Sequence, residues 1–140
     1  MCSYVNKIKI KDFTIFNFSG ICYVFIEMMW RGYSHYSMFF TGGLCFLILY
    51  KIYKKHREIS YLKKYIIASI VITFIEFFVG FIFNIILKQK VWNYSNMPFN
   101  IYGQICLIYS FLWGFVGIFI DYLVNCKHTI KTSKFRSIKQ

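Results

Sequence analysis

The feature that most constrains this chain is the alternation of long apolar runs with clusters of basic residues. Fourteen of its 17 Lys and Arg residues lie in three clusters, at 7–11, 51–64 and 127–139, and apolar runs separate them. A soluble domain buries its apolar side chains under a surface of mixed charge, but here only 5 acids accompany the 17 bases. Apolar runs flanked by basic clusters are typical of membrane helices. The pattern therefore predicts a polytopic membrane protein.

Four of the apolar runs are long enough to cross a bilayer as helices. A hydrocarbon core of about 30 Å needs about 20 residues at about 1.5 Å each. No run shows the alternation of apolar and polar residues that a membrane β-barrel requires. We therefore predict an all-α bundle of four transmembrane helices, with a basic N-terminal segment at 1–12 and a basic tail at 125–140. Within the transmembrane domain at 13–124, the predicted spans are 13–30, 33–50, 65–87 and 105–124.

The distribution of charge predicts the orientation of these spans. Four spans place both termini and the middle loop on one side with 14 basic residues, against Arg31, Lys88 and Lys90 on the other. Because basic residues concentrate in cytoplasmic loops, we expect a plasma-membrane protein with both termini in the cytoplasm. The basic clusters suit anionic lipids at that face. They flank the spans and form no continuous stripe, so nucleic acid is not an expected partner.

Ionisable residues inside the predicted spans are the first functional candidates, because a carboxylate in hydrocarbon is costly unless it carries a proton or meets a cation. Glu27 lies one helical turn before Arg31, so an ion pair at the outer rim explains it as well as a functional role does. Glu76 has no partner nearby in the sequence, and we expect it to bind a cation, carry a proton or act in gating. Asp121 is expected to be solvated near the cytoplasmic end of the fourth span.

The loop between the third and fourth spans is rich in aromatic and amide side chains, which suit the headgroup region. In the predicted topology this loop faces the turn that follows the first span, so a pocket at the outer rim is expected. The candidate ligand-binding residues, those in the spans included, are Glu27, Arg31, His35, Glu76, Asn84, Trp92, Tyr94, Asn100 and Gln104.

Small and polar residues also recur at helical spacing in the fourth predicted span. Ser110, Gly114, Gly117 and Asp121 share one face, which is the kind of stripe that packs helices together in membranes. The five cysteines contain no C-x-x-C pair, and we interpret them as apolar filler. The sequence contains no phosphate-binding loop, no G-x-S-x-G and no His/acid metal motif. We therefore expect no catalytic residues, metal site or cofactor, and no enzymatic activity.

Two segments carry a resemblance to a known family. The segment 91–100, VWNYSNMPFN, followed by Gly103-Gln104-Ile105-Cys106, resembles the W-x-Y-S-x-x-P-x-N…G-x-I-C pattern of a bacterial family labelled "putative ABC-transporter type IV" or "putative ABC transporter permease". The segment 27–35 and the pair Gly42-Gly43 resemble the first half of its short four-helix members. Asn93 stands where an acid is common in the family. The resemblance spans roughly 21–124 and implies a transport component.

The leading hypothesis is a transporter component or ligand-binding membrane subunit with a polar interior. Any pumping then requires a separate ATPase subunit, since the chain has no ATP-binding motif, and a homo-oligomer is a further option. One alternative is a holin-like or effector-type protein that forms pores or disrupts membranes. Another is a structural membrane protein whose polar stripes serve only to pack helices against a partner.

Overall fold

The computed structural model describes the backbone of residues 2–137 and the side chains of residues 10–126. Its main elements are four helices: α1 (Cys2–Arg31), α2 (Tyr36–Lys55), α3 (Tyr61–Gly80) and α4 (Leu107–Ser137). A π-helical stretch, Phe81–Ile86, continues α3. The segments that are long and apolar enough to cross a membrane are Ile10–Arg31, Tyr36–Lys55, Tyr61–Ile86 and Leu107–Cys126. The structure confirms the prediction of an all-α protein with four potential membrane helices.

The helix ends differ from the limits of the predicted spans for local reasons. The N–H of Gly32 donates to the Met28 carbonyl at 2.9 Å, and its φ of 78° suits a glycine at the end of α1. His35 then caps α2, since its backbone is extended and its Nδ1 accepts the N–H of Ser37 at 3.3 Å. The second helix therefore begins at Tyr36, three residues after the start of the predicted second span.

The helices form two hairpins, with α1 packed on α2 and α3 packed on α4. The second helix also contacts α3 and α4, so it joins the two hairpins. Glycine permits the close approach within the first hairpin: a Cβ added at Gly43 would lie 2.8 Å from the Phe16 carbonyl oxygen. The outward faces of the described segments remain apolar, as lipid contact requires.

The tightest core lies where α2, α3 and α4 meet. Leu49, Tyr53 and Ala68 are fully buried at its centre. The other buried members of this core are Cys45, Ile72, Ile120 and Val124. It occupies the half of the bundle nearer the α2–α3 loop, so the three helices are held together most firmly at that end.

The segment between α3 and α4 folds back onto the bundle, and we call residues 87–106 the long loop. It contains a short antiparallel pair, β1 (Asn100–Ile101) and β2 (Ile105–Cys106). Val91 and Trp92 of the long loop are buried in a second apolar cluster with Met38 of α2. Trp92, whose aromatic character predicted contact with the headgroups, is therefore packed inside the protein.

Candidate functional site

The most unusual group in the protein is the carboxylate of Glu76, which is 7% exposed. Its Oε1 accepts a hydrogen bond from the Tyr94 hydroxyl at 2.9 Å, and its Oε2 accepts one from Trp113 Nε1 at 2.7 Å. Both donors are uncharged. Three ion pairs occur among the side chains of residues 10–126, and Glu76 belongs to none of them. Glu76 is thus an acid held inside the bundle by neutral hydrogen-bond donors from the long loop and α4.

Aromatic rings enclose this carboxylate, and we call Glu76, Tyr94, Tyr109 and Trp113 the Glu76 cluster. The Tyr94 ring stacks on Tyr109 with centroids 4.8 Å apart, and Tyr109 lies 6.2 Å from the Trp113 ring. Tyr23 of α1 and Tyr94 both pack against the apolar cluster of Met38, Val91 and Trp92, so α1 lies next to the Glu76 cluster. Burial, and then the nearby carboxylate, raises the pKa of Tyr94, so its hydroxyl remains protonated as a donor.

The fold of the long loop positions Tyr94. Its N–H donates to the Gly103 carbonyl at 2.8 Å, and its own carbonyl accepts the N–H of Met97 at 2.8 Å. Gly103 has a φ of 67°, and a Cβ there would lie 2.8 Å from Asn93 Oδ1. Both the backbone conformation and the limited space therefore favour glycine at this position. Asn100 completes the turn, since its Nδ2 donates to the Met97 carbonyl at 2.8 Å.

A second group of predicted residues fastens the long loop to the end of α3. Asn84 Nδ2 donates to Gln104 Oε1 at 2.7 Å, while its Oδ1 accepts the N–H of Val91 at 2.6 Å. Trp92 Nε1 donates to the Gln104 carbonyl at 2.8 Å. A Cβ added at Gly80 would lie 2.6 Å from Gln104 Oε1, so the helix and the loop are in close contact. The side-chain amides of Asn84 and Gln104 thus bond to each other and to the backbone of the long loop.

The predicted ion pair of Glu27 and Arg31 is present. Glu27 and Arg31 form an ion pair one helical turn apart, as their spacing indicated. The Ser34 hydroxyl donates to Glu27 Oε2 at 2.5 Å, and Arg31 Nη1 donates to the Val91 carbonyl at 3.3 Å. The pair therefore links α1 to the long loop. His35 lies beside it on an open groove of about 570 Å³, whose other lining residues are Ile21, Val24, Met28, Tyr33, Ser34, Tyr36 and Phe39.

The nine predicted residues thus fall into separate arrangements. Glu76 meets Tyr94 directly, while Glu27 meets Arg31. Asn84, Trp92 and Gln104 form the loop fastening, His35 caps α2, and Asn100 holds the loop turn.

The sequence reasoning missed Trp113, the second donor to Glu76. Its signal was present in the helical spacing, because Trp113 lies three residues after Ser110 and directly before Gly114. It therefore borders the small and polar stripe that the sequence analysis identified on the fourth span. Tyr109, directly before Ser110, borders the same stripe and was also missed.

The expectation for Asp121 is wrong, since Asp121 is 1% exposed and lies inside the bundle. Lys64 Nζ lies 3.0 Å from both of its carboxylate oxygens, and Lys64 is itself 3% exposed. The predicted topology assigned Lys64 to the cytoplasmic loop, but α3 begins at Tyr61 and carries Lys64 into the interior. The Tyr53 hydroxyl donates to the Lys64 carbonyl at 2.8 Å, which joins α2 to the pair.

Comparison with protein families gives one assignment. Residues 12–138 of the 140 match the family described as "Putative ABC-transporter type IV". The chain belongs to this family. The match includes the Glu76 cluster, the long loop and the Lys64–Asp121 pair. With its four apolar helices, the family assignment makes the chain a multi-pass membrane protein of the ABC-transporter type. Comparisons with curated proteins and with solved structures give no significant match.

Proposed function

We propose that this chain is the membrane subunit of a transporter and that Glu76 is its acceptor for a cation. The observation that carries the proposal is a carboxylate inside the transmembrane bundle whose two hydrogen-bond partners, Tyr94 and Trp113, are both uncharged. Intramembrane acids without a charged partner commonly mark ion or substrate pathways.

The energetics favour a ligand over a purely structural role. Burying a carboxylate costs several kcal/mol, and a hydrogen bond to a charged group returns about 1.5–3 kcal/mol. Two such bonds return about 3–6 kcal/mol, which is comparable with that cost, but they leave the negative charge of Glu76 uncancelled inside the bundle. A proton or a bound cation cancels that charge. If helix packing were the only requirement, a neutral residue at this position would make the same contacts without this cost.

The surroundings of Glu76 favour a cation as the ligand. The Tyr94 hydroxyl oxygen lies 2.9 Å from Glu76 Oε1, where it can join the carboxylate as a second oxygen ligand for a cation. The carboxylate itself excludes anions by repulsion.

The remaining parts of the proposal follow from the sequence. A separate ATPase subunit provides the energy, since the chain carries no phosphate-binding loop. The chain itself performs no catalysis. Both termini face the cytoplasm of a plasma membrane, because the basic clusters lie at the ends and in the α2–α3 loop.

The test is cation-dependent stability of the purified protein in lipid nanodiscs. Thermal unfolding is measured with sodium, potassium, ammonium, choline and spermidine chlorides at constant ionic strength. A ligand that binds only the folded state raises the unfolding temperature with concentration. We expect at least one of these cations to do so for the wild type, and Glu76→Gln to abolish the effect.

The matched control is Glu58→Gln, which removes the same charge from an exposed position in the α2–α3 loop. It should respond to the cation as the wild type does. The proposal fails if folded Glu76→Gln keeps the wild-type response, or if none of the five cations stabilises the wild type.

A further inference from the structure

Polar side chains continue from Glu76 along the interface between α3 and α4, and we call this line the α3–α4 seam. One turn from Glu76, the Thr73 hydroxyl donates to Ser110 Oγ at 2.9 Å. Further along α3, the Ser69 hydroxyl donates to the Ser110 carbonyl at 2.5 Å. The seam therefore places hydroxyl groups between the buried acid and the half of the bundle nearer the α2–α3 loop.

The seam is closed at its other end. At that end Lys64 and Asp121 pair at 3.0 Å and are almost completely buried, and Asn125 Nδ2, one turn further along α4, donates to Asp121 Oδ1 at 3.1 Å. Between this pair and the hydroxyl groups, Gly117 and Ala68 bring the helices so close that a Cβ on Gly117 would overlap Ala68. Tyr53 of α2 covers the same level and donates to the Lys64 carbonyl. A constriction and an ion pair thus separate the seam from the side of the membrane that the α2–α3 loop faces.

We propose that the α3–α4 seam is the route by which a proton or small cation passes between Glu76 and that side, and that the Lys64–Asp121 pair is its barrier. The proposal rests on the proposed function, because it takes Glu76 as the cation acceptor. The Lys64 ammonium pairs with the second buried carboxylate, that of Asp121, and repels other cations from it. Separation of the pair exposes Asp121 as a second acceptor and opens the route to the hydroxyl groups.

The ion pair distinguishes this arrangement from ordinary packing. Serine and threonine hydroxyls alone are common between membrane helices and need no further role. A buried ion pair is different, because apolar side chains of similar volume are often equally or more stabilising. Lys64 and Asp121 lie at the end of the same interface that holds Glu76. At this position, movement of the Lys64 ammonium controls access to the α3–α4 seam.

The experiment measures access to the seam with a thiol reagent. The five native cysteines are replaced, and Ser110→Cys is introduced as the reporter. A small cationic methanethiosulfonate reagent is applied to vesicles of both orientations. We expect slow labelling with the pair intact. In Lys64→Gln or Asp121→Asn, labelling from the side of the α2–α3 loop should accelerate by about tenfold or more, which corresponds to about 1.4 kcal/mol.

Two further variants separate a barrier from a general loosening of the fold. The exchanged pair, Lys64→Asp with Asp121→Lys, should restore slow labelling. Asp12→Asn breaks the partly exposed pair that Asp12 forms with Lys51 at the same end of the bundle, and it should change nothing. Unchanged labelling in the folded single variants overturns the proposal, as does an equal acceleration in Asp12→Asn.

A milder variant covers the case in which the single charge variants do not fold. Tyr53→Phe removes only the hydroxyl bond to the Lys64 carbonyl, and we expect it to accelerate labelling in the same direction. Unchanged labelling in Tyr53→Phe overturns the proposal that the pair is a barrier. The readout does not depend on cation binding, so its failure is distinguishable from that of the proposed function. Faster labelling in a protein that no cation stabilises supports the barrier and contradicts the role of Glu76.

Discussion

Because Lys64 and Asp121 form a buried ion pair, a single substitution should destabilise the protein far more than the double substitution does. Asp121→Asn leaves the Lys64 ammonium buried without its counter-charge. Both residues are at most 3% exposed, so water screens little of this loss. Removal of one partner from a buried pair costs about 3–5 kcal/mol, and we expect the free energy of unfolding to fall by about that amount.

The double variant Lys64→Met/Asp121→Leu removes both charges and keeps similar volumes. Since neither charge then remains buried, the free energy of unfolding should lie within about 1 kcal/mol of the wild type or above it. The assay is reversible denaturant unfolding in mixed micelles, followed by circular dichroism. Asp12→Asn is the control for a partly exposed pair and should cost about 1 kcal/mol.

The reasoning is refuted if Asp121→Asn costs less than about 1 kcal/mol, since breaking a dry ion pair should cost several times more. It is also refuted if the double variant is as unstable as the single one. That result would mean that the loss arises from packing around Tyr53 and Gly117 rather than from an uncompensated charge.

Two further predictions concern the long loop. Because the pKa of Tyr94 is raised above its ordinary value of 10.0, the folded state holds this proton where the unfolded state loses it. Stability should therefore fall as the pH rises above about 10. In thermal unfolding measured against pH, the unfolding temperature of Tyr94→Phe should fall less steeply than that of the wild type. Equal slopes for the two proteins would contradict the raised pKa of Tyr94. Gln104→Ala removes the acceptor for Asn84 and should loosen the loop, at a cost of about 1–3 kcal/mol for the orphaned amide. Limited proteolysis should then cleave Gln104→Ala within 88–104 faster than the wild type. The control Asn96→Ala, at an exposed loop position, should be cleaved at the wild-type rate. An unchanged rate in Gln104→Ala would contradict the role of Gln104 in holding the long loop.

The bundle and one of its ion pairs were predictable from the sequence because both depend on local spacing. Long apolar runs identify membrane helices wherever they pack, and the four-residue step from Glu27 to Arg31 places both on one helical face. The third of these apolar runs also placed Glu76 inside a span. Each of these inferences needs only the geometry of a single helix.

The remainder of the site depends on contacts between distant segments. The donors to Glu76 come from positions 18 and 37 residues away, and no periodicity connects them. Asp121 was expected to be solvated because it lies near the cytoplasmic end of the fourth span, but Lys64, three residues after the start of α3, pairs with it in the interior. Trp92 was expected at the headgroups, but the Gln104 carbonyl satisfies its N–H inside the protein. These outcomes are set by how α3, α4 and the long loop meet.

The most direct test of the central claim is the indole N–H resonance of Trp113 in ¹⁵N-labelled protein. This N–H donates to Glu76, so a cation that binds the carboxylate must change its environment. The three tryptophans give three indole signals, and Trp113→Phe assigns the relevant one. We predict that a stabilising cation shifts the Trp113 signal saturably, leaves that of exposed Trp30 unchanged, and has no effect on Trp113 in Glu76→Gln. A Trp113 signal that stays fixed while the cation stabilises the protein, or one that shifts equally in Glu76→Gln, would contradict the account.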